Sequence, residues 1–366
     1  MERDSVVYWC ALNRVFAEKS DAGVLLAGMF PRIGELFSLD AGELLEIMPR
    51  GEKYVSRLKD PRLLEWAEKE VEWAGRYDIR LETFISEGYP SRLRECPDPP
   101  LMLYSKGPAD LNPERVVSIV GTRRASFYGR SSLQKIMEAM ARYDVKPLIV
   151  SGLAFGIDGA AHQAALELGL PTVAVLPTGL DEIYPRKHRE LAAEILGDGA
   201  LVTDFPSRTM PERHTFVRRN RIIAGMSDAV VLVQSYAKGG GLITASLASQ
   251  YDREVFAVPG NMDDPSFAGC NNLIYKNGAV IVNSPEAIAD TMGWHQRAPA
   301  EPELFDNLCT ATGGAILALL KDNGPLSLED IVAISGKPSR ELMPEILTLE
   351  MNGRIRNDHH FYYLCN

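Results

Sequence analysis

The sequence predicts an α/β protein with a doubly wound, mainly parallel sheet. Short apolar runs rich in β-branched residues alternate with stretches of helical periodicity, and several of the runs end in small residues. The runs lie at 116–120, 148–150, 172–176, 200–203, 229–233, 254–258 and 279–282. Continuous apolar strands separated by helices are typical of a parallel sheet covered on both faces.

Four regions follow from the pattern along the chain. Residues 1–80 show apolar residues at helical spacing and predict a helical N-terminal domain. Residues 81–294 form the α/β domain, which opens with a proline-rich, extended lead-in over 81–104. Residues 295–305 are a Pro/Ala-rich linker. Residues 306–366 show three short helical segments and then an alternating hairpin, the pattern of a winged-helix domain.

Composition limits the class of protein. The 366 residues carry a net charge of −10, so any polyanion must be bound by a local basic cluster. The five cysteines show no metal-ligand or redox spacing, which predicts a reduced, cytoplasmic protein without a bound metal. The N-terminal segment does not resemble a signal peptide, and no apolar window is long enough for a membrane span.

Ligands of open parallel sheets bind beyond the carboxyl ends of the strands. Gly121, Thr122 and Arg123 follow the first strand. Gly121 lets a phosphate approach the backbone, Thr122 provides a hydroxyl, and Arg123 provides a guanidinium group that can donate two hydrogen bonds. An ordinary tight turn with a solvated arginine explains this motif equally well. After the second strand, Ser151 and Gly152 again leave room for a ligand.

Two further segments carry polar candidates. Asp158 and His162 are four residues apart, so they form either an acid–base pair or a helix cap with an interior histidine. The second interpretation is favoured, because no nucleophile stands beside them. After the third strand, Tyr184 either stacks on a base or closes a loop, and Lys187 is a nearby phosphate candidate.

An arginine cluster provides the strongest phosphate candidates. Four arginines and an asparagine fall within nine residues that contain no acid: Arg213, Arg218, Arg219, Asn220 and Arg221. We expect them at a helix start, where backbone N–H groups also favour anions. Ion pairs with acids such as Asp181, Asp204 or Asp228 are the structural alternative.

Glycines mark the loop after the fifth strand. Gly239, Gly240 and Gly241 precede Thr244 and open a predicted helix, an arrangement that cradles phosphates. The spacing is not that of a Walker A loop. After the sixth strand, Asn272 and Lys276 are further candidates for contact with phosphate.

Taken in order, these motifs resemble the DNA-processing protein A (DprA/Smf) family. The segments that carry the resemblance are YPSRL (89–93), PPLMLY (99–104), SIVGTRRASFYG (118–129), VSGLAFGIDGAAH (150–162), AVLPTGLDEIYP (174–185), RRNRIIAGMSDAVVLV (218–233), GGGLITA (239–245), FAVPGN (256–261) and GCNNLI (269–274). The resemblance implies a Rossmann-like domain that binds single-stranded DNA without sequence preference and needs no cofactor. It also implies homodimers that help load the RecA recombinase on incoming DNA during natural transformation.

The sequence departs from the family pattern at three places. Thr203-Asp204 stands where the family has Ser-Glu, Gln234-Ser235 where it often has Glu-Ala, and Gly239–Gly241 where it has Ser-Gly-Ser. These changes keep polarity and small size. Residues 28–34 show only a blurred helix-hairpin-helix pattern, so no DNA binding is assigned to the N-terminal region.

Three functions compete for the same loops. A binding protein needs no catalytic residue. A Rossmann-like enzyme that hydrolyses nucleotides needs a glutamate after the glycine loop, but Thr244 is followed by Ala245, Ser246 and Leu247. A nucleotide sensor would bind a mononucleotide there. The sequence favours the single-stranded DNA-binding protein.

The recognition helix of the winged-helix domain is acidic. Its segment 339–352 holds Glu341, Glu345 and Glu350 against Arg340. Because an acidic helix is a poor fit for a DNA groove, we expect this domain to contact protein or to support a dimer.

Overall fold

The computed structural model describes residues 3–294, 311–351, 354–358 and 360–364. The chain forms two compact units, residues 1–295 and 296–366, of which the first contains both the N-terminal helices and the large sheet.

The described part of the first unit, residues 3–294, contains nine strands. They are β1 (Arg80–Thr83), β2 (Met102–Lys106), β3 (Val116–Gly121), β4 (Leu148–Ser151), β5 (Thr172–Val175), β6 (Ala200–Thr203), β7 (Ala229–Gln234), β8 (Glu254–Ala257) and β9 (Val280–Ile281).

Helices occupy most of the remaining chain of this unit. They are α1 (Arg3–Val15), α2 (Ser20–Gly28), α3 (Ile33–Ser38), α4 (Ala41–Ile47), α5 (Glu52–Leu58), α6 (Arg62–Arg76), α7 (Ser91–Arg94), α8 (Phe127–Met140), α9 (Ile157–Glu167), α10 (Arg189–Ile195), α11 (Arg213–Gly225), α12 (Gly241–Gln250), α13 (Ala268–Tyr275) and α14 (Ala287–Met292), with a 3₁₀ helix at Arg186–His188.

The sheet has the order β1-β2-β6-β5-β4-β3-β7-β8-β9. The strands from β6 to β9 are parallel, and in this stretch Val117 of β3 stands opposite Ile149 of β4 and Ala229 of β7. All seven predicted strands are therefore confirmed. The segment 81–104, predicted as an extended lead-in, contains most of β1 and the start of β2. These two strands pair with each other in antiparallel fashion, and β2 also pairs with β6, so the segment forms one edge of the sheet.

The strand composition explains why the sheet lies inside. The β3 side chains from Val116 to Val120 are buried, as are all of β7, and helices cover both faces. Ser118 interrupts the apolar run, but its hydroxyl donates to the carbonyl of Ile223 at 2.7 Å. A buried polar group with a partner costs little, so the serine is compatible with a central strand.

The N-terminal helices pack on the antiparallel edge of the sheet. Leu101, Met102 and Tyr104 of the edge share one apolar core with α1 and α6. Polar contacts reach the loop after β6: Glu70 of α6, which is buried, accepts from both the backbone N–H and the hydroxyl of Ser207 at 2.6 Å.

The second unit is a winged-helix domain. Its helices are α15 (Ala311–Asn323), α16 (Leu328–Ser335) and α17 (Ser339–Met351), and its strands are β10 (Leu326–Ser327), β11 (Ile355–Asp358) and β12 (Phe361–Leu364). The strands form a sheet of order β10-β12-β11. Ile316, Leu342 and Ile346 lie in a core that belongs to this unit alone.

The predicted three helices and hairpin are confirmed. The predicted linker at 295–305 lies outside the described residues. Among the helices that are described, none has the length and apolar character that crossing a bilayer requires.

Candidate functional site

The winding of the sheet reverses between β3 and β7. These strands are parallel neighbours, yet the chain continues from β3 toward β4 on one side and from β7 toward β8 on the other. Such a reversal leaves a crevice beyond the strand ends. Here the crevice is a cleft of about 1110 Å³, formed by the loops after both strands and by α11 and α12. We call it the switch-point cleft.

Glycines in both loops allow close packing, and a Cβ on Gly241 would stand 3.5 Å from the Cα of Gly121. A Cβ on Gly121 would stand 2.6 Å from a side-chain carbon of Ile157, and one on Gly241 would stand 2.7 Å from Leu232. Gly240 has no neighbour around its Cβ position, so a ligand can reach the backbone at the start of α12. Helix N-termini of this kind bind anions through their free N–H groups.

Gln234 fixes the loop after β3 relative to the loop after β7. Its side chain is fully buried, and its carbonyl oxygen accepts from the N–H of Ser126 at 2.9 Å. Its amide donates to Ser266 at 2.7 Å. Ser126 in turn caps α8 by accepting from Gly129. The polar residue at the end of β7 therefore positions the cleft wall.

The lining of the switch-point cleft is cationic. Exposed basic side chains come from the loop after β3, the start of α11 and the glycine loop: Arg123, Arg124, Arg213 and Lys238. The Arg123 guanidinium lies over the ring of Phe216, 5.0 Å from its centroid. Tyr236 adds a second aromatic ring that is 45% exposed.

Arg219 forms the floor of the cleft. It is 3% exposed and donates from Nη1 to the carbonyl of Val175 at 2.5 Å. Burial lowers the pKa of Arg219 to about 10, so the side chain stays protonated at neutral pH. A Cβ on Gly152 would stand 2.1 Å from that guanidinium, which explains the small residue after β4. Burial raises the pKa of Asp158, although the charge of Arg219 opposes the shift.

The arginine cluster divides between two faces of α11. Asp204 is fully buried and accepts from Arg218 at 2.7 Å and from Arg221 at 2.8 Å. Arg221 also donates to Ser20 at 2.7 Å. The predicted alternative of an ion pair therefore describes Arg218 and Arg221. The expected helix start is wrong for them, because α11 begins at Arg213.

His162 belongs to the interior, whereas Asp158 is buried at the floor of the cleft. His162 is fully buried, its Nδ1 lies 2.7 Å from the hydroxyl of Thr172, and burial lowers its pKa to about 3. A histidine that stays neutral within the core fits the favoured interpretation. Asp158, however, is not the cap, because α9 begins at Ile157 and the capping position is Gly156.

Other candidates lie outside the cleft or form contacts within the protein. Ser151 is buried and donates to the carbonyl of Ile119 at 2.6 Å. Tyr184 packs edge-on against Phe216, with ring centroids 5.4 Å apart. Lys187, Asn272 and Lys276 are exposed and do not line the cleft. Ten predicted residues do line it: Gly121, Thr122, Arg123, Arg213, Arg219, Asn220, Gly239, Gly240, Gly241 and Thr244.

Within the described ranges, no group of three or more His, Cys, Asp or Glu side chains is placed to hold a metal ion. Cys10, Cys96 and Cys270 are free thiols in the interior, and burial raises the pKa of each.

Comparison with known proteins decides the family. The family model of DNA recombination-mediator protein A matches residues 80–293, and that of the DprA winged helix domain matches residues 295–359. The chain belongs to the DNA recombination-mediator protein A family. Protein Smf of Escherichia coli is 37% identical over 306 residues, which cover 80% of each chain. The DNA processing protein DprA of Bacillus subtilis is 39% identical over 208 residues, 57% of this chain and 69% of that one.

Two solved structures of DNA processing protein A are similar in fold. The Streptococcus pneumoniae protein gives a TM-score of 0.57 at 31% identity and covers 69% of this chain and 94% of its own. The Helicobacter pylori protein, solved to describe its single-stranded DNA binding mode, gives 0.53 at 29% identity and covers 59% and 98%.

In this member of the DNA recombination-mediator protein A family, the sequence-based set of candidates omitted part of the cleft lining. Arg124, Phe216, Tyr236 and Lys238 all line the cleft. Each stands in, or within three residues of, a motif that had been singled out. The complete loop after each strand therefore identifies the cleft lining better than the segment with the most arginines does.

Proposed function

We propose that this protein is a non-catalytic, cytoplasmic, homodimeric protein that binds single-stranded DNA without sequence preference. It helps load the RecA recombinase on incoming DNA during natural transformation. The observation that carries the proposal is the charge of the switch-point cleft. Five basic side chains and one buried acid, Asp158, line it in a chain of net charge −10.

The lining suits the parts of a single strand that do not depend on sequence. Arg123, Arg213 and Lys238 meet phosphates, together with the backbone N–H groups at the start of α12. Phe216 and Tyr236 offer faces on which any base can stack. Phosphates and π-faces are common to all nucleotides, so no sequence preference results.

The comparisons support the wider role. The Helicobacter pylori relative is described with a single-stranded DNA binding mode, and the family bears the description of a recombination mediator. A mediator must hold single-stranded DNA while a recombinase assembles on it, which fits an open cleft.

Fluorescence anisotropy of labelled oligo-dT tests the site. We expect Arg123→Gln/Lys238→Gln to weaken binding about tenfold or more, because two phosphate contacts are lost. Arg130→Gln/Lys135→Gln removes two exposed cations of α8 outside the cleft and serves as the matched control. A duplex of equal length should bind more weakly than oligo-dT. Equal loss in both variants would contradict the placement of the site.

Loading and assembly have their own tests. RecA filament formation on single-stranded DNA covered by a single-strand binding protein should accelerate with wild type and not with the cleft variant. Sedimentation equilibrium should give twice the 40.4 kDa chain mass. A monomer at micromolar concentration would refute the homodimer without affecting the DNA site.

The nucleotide-hydrolysing alternative makes a different demand. It needs an accessible carboxylate, whereas Asp158 is 7% exposed and lies beside Arg219 on the cleft floor. Release of free base from a nucleoside monophosphate would rescue the enzyme hypothesis. An affinity that does not rise with oligonucleotide length would favour the mononucleotide sensor.

A further inference from the structure

A second basic concavity lies in the helical N-terminal region, apart from the switch-point cleft. It has a volume of about 600 Å³ and is bordered by the end of α1, the end of α5 and the start of α6. Three exposed arginines, Arg14, Arg57 and Arg62, line it together with Asp60 and the half-buried Trp66. We call it the arginine concavity.

Arg14 and Arg57 have N–H groups that are available to a ligand. Arg62 is paired with Asp60 at 3.2 Å, so these two charges offset each other. Arg57 makes one long contact, from Nη1 to the carbonyl of Val15 at 3.5 Å. Among the described residues, no carboxylate forms a salt bridge with Arg14 or Arg57. The concavity therefore keeps a net charge of about +2 at neutral pH.

Trp66 prepares Arg14 for stacking. The guanidinium carbon of Arg14 lies 3.9 Å from the centroid of the Trp66 ring, which is a stacked geometry. Stacking fixes the plane of the guanidinium group and leaves its edge N–H groups available to a phosphate. Nucleic-acid bases stack on arginine planes as they do on aromatic rings. The pair thus offers one surface for a base and one edge for an anion.

The helices that border the concavity contact the loop after β6, one of the loops at the carboxyl ends of the parallel strands. The residue before Arg14, Asn13, donates to the carbonyl of Asp204 at 3.3 Å, directly after β6. One turn after Trp66, Glu70 holds Ser207 of the same loop. Three strand spacings separate β3 from β6, or about 14 Å. The two helices that border the concavity therefore contact the loop after β6, at the end of the parallel strands where the cleft also lies.

We propose that the arginine concavity is a second contact site for single-stranded DNA, used only by strands that extend beyond the switch-point cleft. The inference rests on the proposed function, because it needs the cleft to hold the same strand. Bases stack on Arg14 and phosphates pair with Arg14 and Arg57, so the site has no sequence preference.

Varying the length of the single-stranded DNA distinguishes the two sites in the full-length protein. The probes are oligo-dT of about 6 and about 25 nucleotides, lengths chosen to fill one site or to run well past it. Arg14→Gln/Arg57→Gln should bind the short probe like wild type and the long probe about three- to tenfold more weakly. The log–log salt slope for the long probe should become shallower by about 1.4, which is 0.7 for each of two phosphates.

Matched variants make each failure distinct. Arg32→Gln/Arg76→Gln removes two exposed arginines of the same region outside the concavity and should leave both probes unaffected. Arg123→Gln/Lys238→Gln should weaken both probes. If that cleft variant weakens both probes but the concavity variant weakens neither, the inference is overturned and the proposed function stands. If the cleft variant weakens neither, the proposed function itself fails.

Photochemical crosslinking provides a second readout. Long oligo-dT that carries 5-iodo-deoxyuridine at successive positions should crosslink to Trp66 only from positions distal to the cleft. A crosslink pattern that never includes Trp66 counts against the site. Binding of poly-glutamate to wild type and not to Arg14→Gln/Arg57→Gln, with long-probe affinity unchanged, would show that the concavity accepts an acidic peptide and would overturn the inference.

Discussion

Asp204 shows how a dense basic stretch can serve the fold rather than a ligand. Its carboxylate is fully buried and satisfies Arg218 and Arg221, and Arg221 also reaches Ser20 in the helical region. Burial alone would raise the pKa of Asp204, but the two guanidinium groups more than offset it and hold that pKa below its ordinary 3.8. This ion pair connects the sheet to the N-terminal helices.

We expect Asp204→Asn to destabilise the protein by about 3 kcal/mol at pH 7, because it removes the fully buried carboxylate that pairs with Arg221 and leaves only the Asp98 carboxylate at 4.0 Å. The pKa of Asp204 is lower in the folded state, so its contribution is present above pH 3.8 and is lost as pH falls through the folded pKa. Urea unfolding at neutral and acidic pH measures the difference. It should be constant above about pH 5 and shrink below pH 4. The exposed Asp198→Asn is the control.

Gly152 contributes to the site through its lack of a side chain, because the space beside it is occupied by the Arg219 guanidinium. We expect Gly152→Ala to displace the Arg219 guanidinium, which lies 2.1 Å from the new Cβ position, and to weaken oligo-dT binding about tenfold. Gly75→Ala, which meets nothing within 4 Å, should bind normally. Anisotropy is measured below the unfolding transition of both variants. Unchanged affinity in a folded Gly152→Ala protein would remove Arg219 from the binding surface.

At the scale of the element, periodicity predicted the sheet well and the site only in part. Apolar runs identify strands because burial on both faces leaves no place for polar side chains. Contiguity does not identify a site in the same way. Successive residues of a helix point about 100° apart, so Arg218 and Arg219 face an ion pair and a cleft, respectively. Only the fold shows which neighbour is available.

The same limit explains the residues that were missed. Lys238 directly precedes the glycine loop, and Tyr236 lies two residues before Lys238. The loop was recognised, but these two side chains were not selected. Their value depends on the neighbouring position of β3 and β7 in the sheet, which no local pattern contains. Gln234 likewise acts by joining Ser126 to Ser266, residues far apart in the sequence.

The winged-helix domain provides an element-scale prediction. Helix α17 buries Leu342 and Ile346 and carries Glu341 on its exposed surface, while Glu350 accepts from the N–H of Asn357 at 3.3 Å. We expect the isolated segment 306–366 to show no binding to duplex DNA at about 0.15 M salt. The variant Glu341→Lys/Glu345→Lys should gain affinity. Clear binding by the wild-type segment would contradict a protein-contact role.

At the scale of the whole molecule, charge distribution matters more than total charge. A chain of net charge −10 repels DNA at long range, so binding must arise where basic groups are concentrated and water is partly excluded. The switch-point cleft concentrates five basic side chains between α11, α12 and the loops after β3 and β7. The acids of the remaining surface then oppose non-specific coating of duplex DNA.

This balance predicts a moderate salt dependence. Three or four phosphate contacts in the cleft give a log–log slope of about −2 to −3 for a short oligo-dT, since each contact on single-stranded DNA contributes about −0.7. Arg123→Gln alone should make the slope shallower by about 0.7, whereas Lys135→Gln on α8 should leave it unchanged. Anisotropy titrations between about 50 and 200 mM salt resolve this difference. A slope near zero would mean that stacking rather than charge holds the strand, and the basic lining of the cleft would then need another explanation.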